Sequence, residues 1–212
     1  MNVRLFGLAS VAALGLGVTV IVRRLLAAPP TPPAFDGARP DPAEGGYIGH
    51  TESMLIDAPL DQFRDWANRA ELEDLGLESQ NLPRVVRTEM IRGSWDPDQN
   101  RVGARRRVVL EDGHFTAEEI LVDESDRFRY IVWGYTNYAG LMIDHAIGEF
   151  QYDEDGGKTA LTWTYSFQPR SALARPVLSR FVSGTWADLM RNTLEAMRAG
   201  GERYPQAGAH GA

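Results

Sequence analysis

The most informative pattern in the chain is a strand-like alternation near its C-terminal end that leads into a helical stripe. Positions 161–167 read Leu-Thr-Trp-Thr-Tyr-Ser-Phe, and because strand side chains alternate between faces, the large apolar members share one face: Leu161, Trp163, Tyr165 and Phe167. After Pro169 the apolar residues recur at three- and four-residue steps, which predicts one long amphipathic helix that stops at Gly200-Gly201. Its stripe comprises Leu178, Phe181, Val182, Trp186, Leu189, Met190, Leu194 and Met197. The two apolar faces can bury each other.

Shorter patterns predict the elements that precede this pair. A first strand over 48–56 ends at Ala58-Pro59, and two short helices follow it. Five more strands are predicted over 84–92, 102–110, 115–122, 128–135 and 143–152, with turn signals such as Asp112-Gly113 between them. Consecutive hairpins, rather than alternating strands and helices, are typical of an antiparallel α+β fold. We therefore predict a curved antiparallel sheet wrapped around the long C-terminal helix, with space between them for an apolar ligand.

Four segments carry a resemblance to a known superfamily. They are Met54-Leu-Ile-Asp-Ala-Pro59 ahead of Phe63 and Trp66, Val102-Gly-Ala-Arg-Arg106, Gly148-Glu-Phe150, and Gly157-Lys-Thr-Ala-Leu-Thr-Trp-Thr-Tyr165. In these segments and in the order of its elements the chain resembles the START-like, helix-grip (SRPBCC) superfamily, which includes polyketide cyclases, lipid-transfer domains and coenzyme Q-binding proteins. The resemblance covers nearly all of residues 47–200. It implies a cavity for a hydrophobic molecule but does not imply a particular reaction.

An uncharged segment rich in Leu, Val, Ala and Gly begins at Leu5 and ends at Val22. Its 18 residues would span about 27 Å as a helix, which is just enough for a bilayer core of about 30 Å. The arginines that flank it favour an uncleaved single-pass membrane anchor over a cleaved signal peptide, and their distribution leans towards a cytoplasmic main domain. We predict a transmembrane anchor in residues 1–26, a Pro-rich tether in 27–46, the folded domain in 47–200 and a flexible tail in 201–212.

Composition excludes several classes of function. The net charge is −7 and Lys158 is the only lysine, so the chain lacks the basic stripe of a nucleic-acid-binding protein. It contains no cysteine, which excludes disulfides, a thiol nucleophile and thiolate metal ligands. No phosphate-binding loop, dinucleotide fingerprint or nucleophile elbow is present, and the histidines do not have the spacing of a known metal site. We therefore expect no metal and no cofactor.

The turn signal Asp112-Gly113 predicts a register for the hairpin around it. If these two residues form the turn, Arg106 lies opposite Glu119 on the more apolar face, which should point inward. Two interpretations of such a pair are open. A buried ion pair can neutralise itself and fix the register without meeting a ligand. Alternatively, the guanidinium and the carboxylate can be the few polar groups that orient a ligand in an apolar pocket.

Four other residues are candidates for lining the inner face. Tyr130 shares a face with its apolar neighbours at positions 128 and 132, and Trp163 and Tyr165 belong to the aromatic strand. Asp144 has the same parity as Phe150, and a buried carboxylate with a raised pKa can act as an acid or a base. The position of Asp144 near a strand end, however, favours exposure. The complete set of predicted ligand-binding residues is Arg106, Glu119, Tyr130, Asp144, Trp163 and Tyr165.

Three functions are compatible with these patterns. The first is a membrane-tethered module that binds a hydrophobic small molecule, such as a lipid, a quinone or a polyketide-like compound. The second is an enzyme of the cyclase or dehydratase type that acts on a hydrophobic substrate, with its acid–base and polarising groups among Arg106, Glu119, Tyr130 and Asp144. The third is an interaction or stress-response domain whose cavity is filled by its own side chains. The residues favour the first, because no catalytic motif is present.

Overall fold

The computed structural model describes residues 27–75 and 82–205, and within these ranges the chain forms a seven-stranded antiparallel sheet. The spatial order of the strands is β1-β7-β6-β5-β4-β3-β2. Six of the strands follow one another as antiparallel neighbours, and β1 pairs with β7. The predicted antiparallel α+β fold is therefore confirmed. The strands are β1 (Ile48–Ile56), β2 (Val85–Arg92), β3 (Arg105–Leu110), β4 (Phe115–Asp123), β5 (Arg127–Trp133), β6 (Ile143–Asp155) and β7 (Lys158–Pro169).

The helices lie between β1 and β2 and after β7. Helix α1 (Leu60–Arg69) connects to β2 through a 3₁₀ turn (Leu72–Asp74). After β7 and a second short turn (Ala172–Ala174), one helical run contains α2 (Arg175–Phe181), a π-helical turn (Val182–Trp186) and α3 (Ala187–Arg203). The predicted long amphipathic helix is thus confirmed, with one irregular turn that the apolar spacing did not indicate. The buried residues of the run include Leu178, Val182, Leu189, Met190, Leu194 and Met197.

The main core lies between the concave face of the sheet and the helical run. Aromatic side chains from β5, β6 and β7 cover this face, and Trp163 stacks on Phe150 with 5.0 Å between ring centroids. Trp186, in the π-helical turn, packs against Tyr165 at 4.6 Å. The alternation in β7 therefore turns its aromatic residues towards the helix and its hydroxyl residues away from it.

The convex face of the sheet is covered by the N-terminal part of the described chain, residues 27–47, which we call the strap. Phe35 and Tyr47 pack against a second apolar cluster on β4, β5 and β6. The Arg105 side chain donates hydrogen bonds to the carbonyl oxygens of Phe35 (2.5 Å) and Gly37 (2.6 Å). The segment that the sequence predicted to be a tether therefore contacts the folded domain, because the outward-facing arginines of β3 bind its carbonyl groups.

The predicted membrane segment at residues 5–22 lies outside the described residues, and so does the end of the predicted flexible tail. In the two ranges that the structure describes, every helix is too short or too polar to cross a membrane.

The predicted helix stop at Gly200-Gly201 is wrong, because α3 continues to Arg203. The two glycines instead allow α1 to approach α3 closely. A β-carbon on Gly200 would overlap the ring of Trp66, and one on Gly201 would overlap the ring of Phe63. Phe63 is completely buried. The absence of side chains at these positions therefore fixes how closely the two helices pack.

Gly201→Ala should lower the free energy of unfolding by about 1–3 kcal/mol net, because overpacking against Phe63 outweighs the gain in helix propensity. Urea unfolding followed by tryptophan fluorescence would measure the change. Gly184→Ala is the matched control, since a β-carbon at Gly184 meets nothing within 4 Å. Equal stability of the two variants would contradict the proposed role of Gly201.

Candidate functional site

A cavity of about 270 Å³ lies between the concave face and the helical run. Its wall is mostly apolar and aromatic, with contributions from every strand of the sheet except β1. A few polar side chains interrupt the wall, and most of them lie on β3, β4 and β5 or in the loop that follows β5. An apolar cavity with a few convergent polar groups is the usual form of a small-molecule site. The polar residues used below are Arg106, Glu118, Tyr130 and Tyr135.

The main charged feature of the cavity wall is an ion pair between Arg106 and Glu118. Arg106 Nε donates a hydrogen bond of 2.6 Å to Glu118 Oε2, and both side chains are buried. Trp95 covers the guanidinium, with its ring centroid 3.9 Å from Cζ. Within the described part of the chain, the two terminal nitrogens of Arg106 make no hydrogen bond. The pair therefore holds the guanidinium in place and leaves donors for a further acceptor.

The predicted pairing of Arg106 with Glu119 is wrong by one residue of register. Strands β3 and β4 are joined by a three-residue loop, 111–113, in which Leu110 N donates to the His114 carbonyl at 2.9 Å. Gly113 takes the left-handed conformation (φ 82°), as expected for the last residue of such a loop. The extra loop residue moves β4 by one position, so that Arg106 lies opposite Glu118.

Glu119 consequently lies on the convex face, away from the cavity. Arg105 Nε and Arg92 Nη2 each donate to Glu119 Oε2 at 2.8 Å, and Arg39 Nε donates to Oε1 at 3.0 Å. Three arginines therefore surround this one carboxylate and join the strap to the sheet. The Glu119 side chain therefore holds the strap on the sheet and does not contact the cavity.

Tyr130, Trp163 and Tyr165 line the cavity, and the structure brings them together with Arg106. Burial raises the pKa of Tyr130 well above its usual range, and the negative charge of Glu118 raises it further. Burial likewise raises the pKa of Tyr165. Both hydroxyl groups therefore stay protonated at neutral pH and can donate hydrogen bonds.

Asp144 does not line the cavity. Between Ile143 and His145 the register against β7 advances by only one residue, so Asp144 is the extra residue of a β-bulge. The bulge turns its side chain out of the inward alternation, and the carboxylate binds His145 Nδ1 at 2.9 Å. Arg170 lies 3.8 Å from its other oxygen. The parity argument failed because it assumed a regular strand, whereas the exposure expected from the position near a strand end is confirmed.

Several groups in the cavity wall were not identified from the sequence. Among them are Tyr135, Trp186 and Thr193, which, like the predicted Trp163, carry buried polar atoms (Oη, Nε1, Oγ1 and Nε1 respectively) without a hydrogen-bond partner among the described residues. Most buried polar atoms in proteins are hydrogen-bonded, so four unpartnered polar atoms around one cavity are unusual. A prediction that assumed a three-residue loop between β3 and β4 would have placed Glu118 opposite Arg106. Trp95, by contrast, lies in a loop whose path no local sequence pattern indicates.

The described residues hold no group of three or more His, Asp or Glu side chains that could bind a metal ion. His145 has its two ring nitrogens next to Asp144 and the Tyr47 hydroxyl, on the convex side. These contacts fix the ring against the strap and do not bring it to the cavity.

Alkaline pH should unfold the protein through its buried tyrosines. Burial raises the pKa of Tyr130, Tyr135, Tyr152 and Tyr165, whereas in the unfolded chain they ionise near pH 10. Above that pH the unfolded state releases protons that the folded state keeps, so each such tyrosine lowers the free energy of unfolding by about 1.4 kcal/mol per pH unit. Below pH 10 this destabilisation is absent.

The measurement is a pH titration that follows tyrosinate absorbance and circular dichroism together. We expect ionisation of these tyrosines to coincide with unfolding, and Tyr165→Phe to make the decline in stability shallower. Ionisation of all the tyrosines near pH 10 with the fold intact would contradict the assigned burial.

Comparison with known proteins assigns the fold. The sequence model of the family described as "Polyketide cyclase / dehydrase and lipid transport" matches residues 50–202. A comparison with functionally curated proteins finds no significant sequence relative.

Solved structures with the same fold include proteins of different kinds. The Zhui aromatase/cyclase from Streptomyces sp. R1128 has a TM-score of 0.54 and 16% identity, over 79% of this chain and 100% of that one. Ara h 8.0201 has a TM-score of 0.53 and 16% identity, over 73% and 97%. The di-domain ARO/CYC StfQ of the steffimycin biosynthetic pathway has a TM-score of 0.53 and 12% identity, over 74% of this chain and 51% of its own. At these identities the similarity shows the fold alone.

Proposed function

Because the chain belongs to the polyketide cyclase/dehydrase and lipid transport family, we propose that it is a membrane-tethered protein that binds one hydrophobic small molecule in its cavity. The ligand classes that suit the family are lipids, quinones and polyketide-like compounds. The observation that carries the proposal is an apolar cavity in which the two terminal nitrogens of the buried Arg106 guanidinium make no hydrogen bond to any described residue. Such a site selects an apolar ligand that carries an oxygen acceptor.

The size and walls of the cavity narrow the class of ligand. An apolar cavity of about 150 Å³ is known to admit benzene, so a volume of about 270 Å³ suits a compact ring system. The aromatic faces of Phe150, Trp163 and Tyr165 line it and can stack on such rings. A quinone or a polyketide-like ring, with a carbonyl or phenolate oxygen at Arg106, fits this arrangement better than a two-chain lipid.

The membrane tether is the second part of the proposal. Its support is the uncharged segment between Leu5 and Val22 in the sequence. A single-pass anchor would hold the cavity beside a bilayer, in which hydrophobic ligands are concentrated. The arginine distribution around the segment favours a cytoplasmic position for the folded domain.

A cyclase or dehydratase activity is the second candidate. It is favoured by three functional groups on one wall, namely the Arg106 guanidinium, the Glu118 carboxylate and the Tyr130 hydroxyl. In such a reaction Arg106 would polarise a carbonyl, and Tyr130, whose raised pKa keeps its hydroxyl protonated, would donate a hydrogen bond to the developing negative charge. Glu118 would accept a proton. Two of the similar structures are named as aromatase/cyclases, which makes the test worthwhile.

Removal of the ion pair should abolish the preference for an acidic ligand. We expect the protein to bind 2-naphthoate at least about tenfold more tightly than 2-naphthalenemethanol, which corresponds to about 1.4 kcal/mol. The double variant Arg106→Met/Glu118→Met should bind the two probes equally, as measured by calorimetry. Both residues are replaced because Arg106→Met alone would leave Glu118 buried without its partner, at a cost of about 3–5 kcal/mol.

The matched control is Arg107→Met/Glu89→Met, which removes a 2.6 Å ion pair that involves the next residue of β3 but faces away from the cavity. This control should keep the preference for 2-naphthoate. If neither probe binds the wild-type protein, the proposed function is wrong. If the preference survives in the cavity variant, Arg106 is not the selective group.

The enzymatic candidate predicts turnover of an aryl ketone that carries a CH₂-linked 1,3-diketone at the ortho position. The central methylene carbon of the diketone bonds to the ketone carbon, and the ketone oxygen leaves as water with the two hydrogens of that methylene. For a binding protein we expect no acceleration over buffer. Acceleration that falls by at least about tenfold in Glu118→Gln and in Tyr130→Phe, with the fold intact by circular dichroism, would establish the enzyme instead.

A further inference from the structure

One end of the sheet carries exposed apolar side chains that the cavity does not explain. At this end β3, β5 and β7 finish, and short turns follow β5 and β7. Leu173 is 90% exposed, Leu141 60% and Val177 57%, and Tyr138 is half exposed. We call these four residues the apolar tip. Scattered exposed apolar residues are common, but an exposed patch of them is typical of an interaction surface.

The apolar tip is held together by the backbone. Arg170 N donates a hydrogen bond of 2.8 Å to the Met142 carbonyl, which joins the connection after β7 to the loop that contains Tyr138 and Leu141. Leu173 lies in the 3₁₀ turn before α2, and Val177 follows one turn later. The two halves of the tip are therefore adjacent.

Arginines accompany the apolar tip. Arg170, Arg175 and Arg180 lie in or beside it, and among the described residues only Arg170 has an acidic group nearby, Asp144 at 3.8 Å. Arg175 donates to the Gly46 carbonyl at 2.7 Å and keeps its charge unpaired by any carboxylate within the described ranges. Exposed apolar residues next to cationic side chains are the pattern of a surface that enters the interface of a bilayer with anionic lipids.

The path of the chain brings its N-terminal part to the same end of the sheet. At the start of the strap, the Ala28 side chain lies against Gly113 in the β3–β4 loop, close to the end of β3. Phe115, the first residue of β4 after that loop, accepts at its carbonyl oxygen a 3.1 Å hydrogen bond from Thr136 N in the connection after β5. In sequence, only residues 23–26 separate the uncharged segment from the strap. A chain that emerged from a bilayer would therefore reach the domain at the end that carries the apolar tip.

We propose that the apolar tip docks onto a lipid bilayer, with Leu141 and Leu173 in the apolar part of the interface and Arg175 and Arg180 at lipid phosphates. The inference rests on the proposed function for the presence of a membrane. Tyr138 belongs both to the tip and to the cavity wall, so docking would bring the cavity wall next to the lipid.

The experiment uses the full chain, because the absence of cysteine permits single labels. Nitroxides are attached to Leu141→Cys and Leu173→Cys in vesicles of phosphatidylcholine with phosphatidylglycerol. The matched control is Val102→Cys, which is 50% exposed and precedes β3 at the opposite end of the sheet. Relative to the control, we expect the ratio of collisions with oxygen to collisions with a water-soluble nickel chelate to rise at least about threefold at both tip positions.

Labels at the tip that remain as water-accessible as the control would overturn the proposal. Spin–spin broadening at the tip would identify a second copy of the chain there, and protection from both reagents would identify a protein partner; either result would also overturn it. Vesicles without phosphatidylglycerol should give a smaller rise, because the arginines then lack anionic headgroups.

A second variant separates docking from ligand binding. With Leu141→Glu/Leu173→Glu, the ratio of oxygen to nickel collisions at a label on Val177→Cys should fall to that of the control label. Binding of 2-naphthoate in detergent should stay within about twofold of wild type, a change of under 1 kcal/mol. A collision ratio at Val177→Cys that stays high in this variant would contradict docking through the tip. Failure of 2-naphthoate binding with the tip inserted would reject the proposed ligand and leave docking supported.

Discussion

The fold depends on how three consecutive arginines of β3 are satisfied. Because strand side chains alternate, Arg106 points to the concave face while Arg105 and Arg107 point to the convex face. Each is buried or nearly so and needs an acceptor. On the concave side Glu118 supplies the acceptor, and on the convex side backbone carbonyls of the strap do so together with Glu119 and Glu89. One tripeptide thereby determines both the polar group of the cavity and the course of the N-terminal segment.

The cavity lies between the large aromatic rings of the concave face and the helical run. The concave face is built from large aromatic rings that pack against their strand neighbours, and Gly148 provides the space for the Tyr130 ring, which a β-carbon there would overlap. Rings of this size are too large to enter the cavity, although a smaller side chain could fill it. Three of the four unpartnered polar atoms of the wall, those of Tyr135, Trp163 and Trp186, belong to rings packed in the main apolar cluster.

Much of the fold could be predicted from the sequence, because long periodic segments determine it. The alternation in β7 and the stripe of the helical run set which faces are buried, and Tyr130, Trp163, Tyr165 and Arg106 were correctly placed on the inner face of the sheet. Glu119 was misplaced because one extra loop residue reverses the direction of the side chains that follow it. One bulge residue likewise reversed the parity assigned to Asp144, although its expected exposure was correct. The docking of the strap could not be predicted, because its acceptors are backbone carbonyls, which residue type does not reveal.

The attachment of the strap has a mechanical consequence. A pull on the chain ahead of Ala28 would reach Pro33, Phe35 and Gly37 before it reached β1, and the arginines of β3 grip the carbonyls of all three. The load would therefore pass across several parallel bonds into β3, next to the opposite edge strand β2, instead of peeling the edge strand β1 from β7. A domain built in this way can bear a load applied ahead of its strap without losing its edge strand.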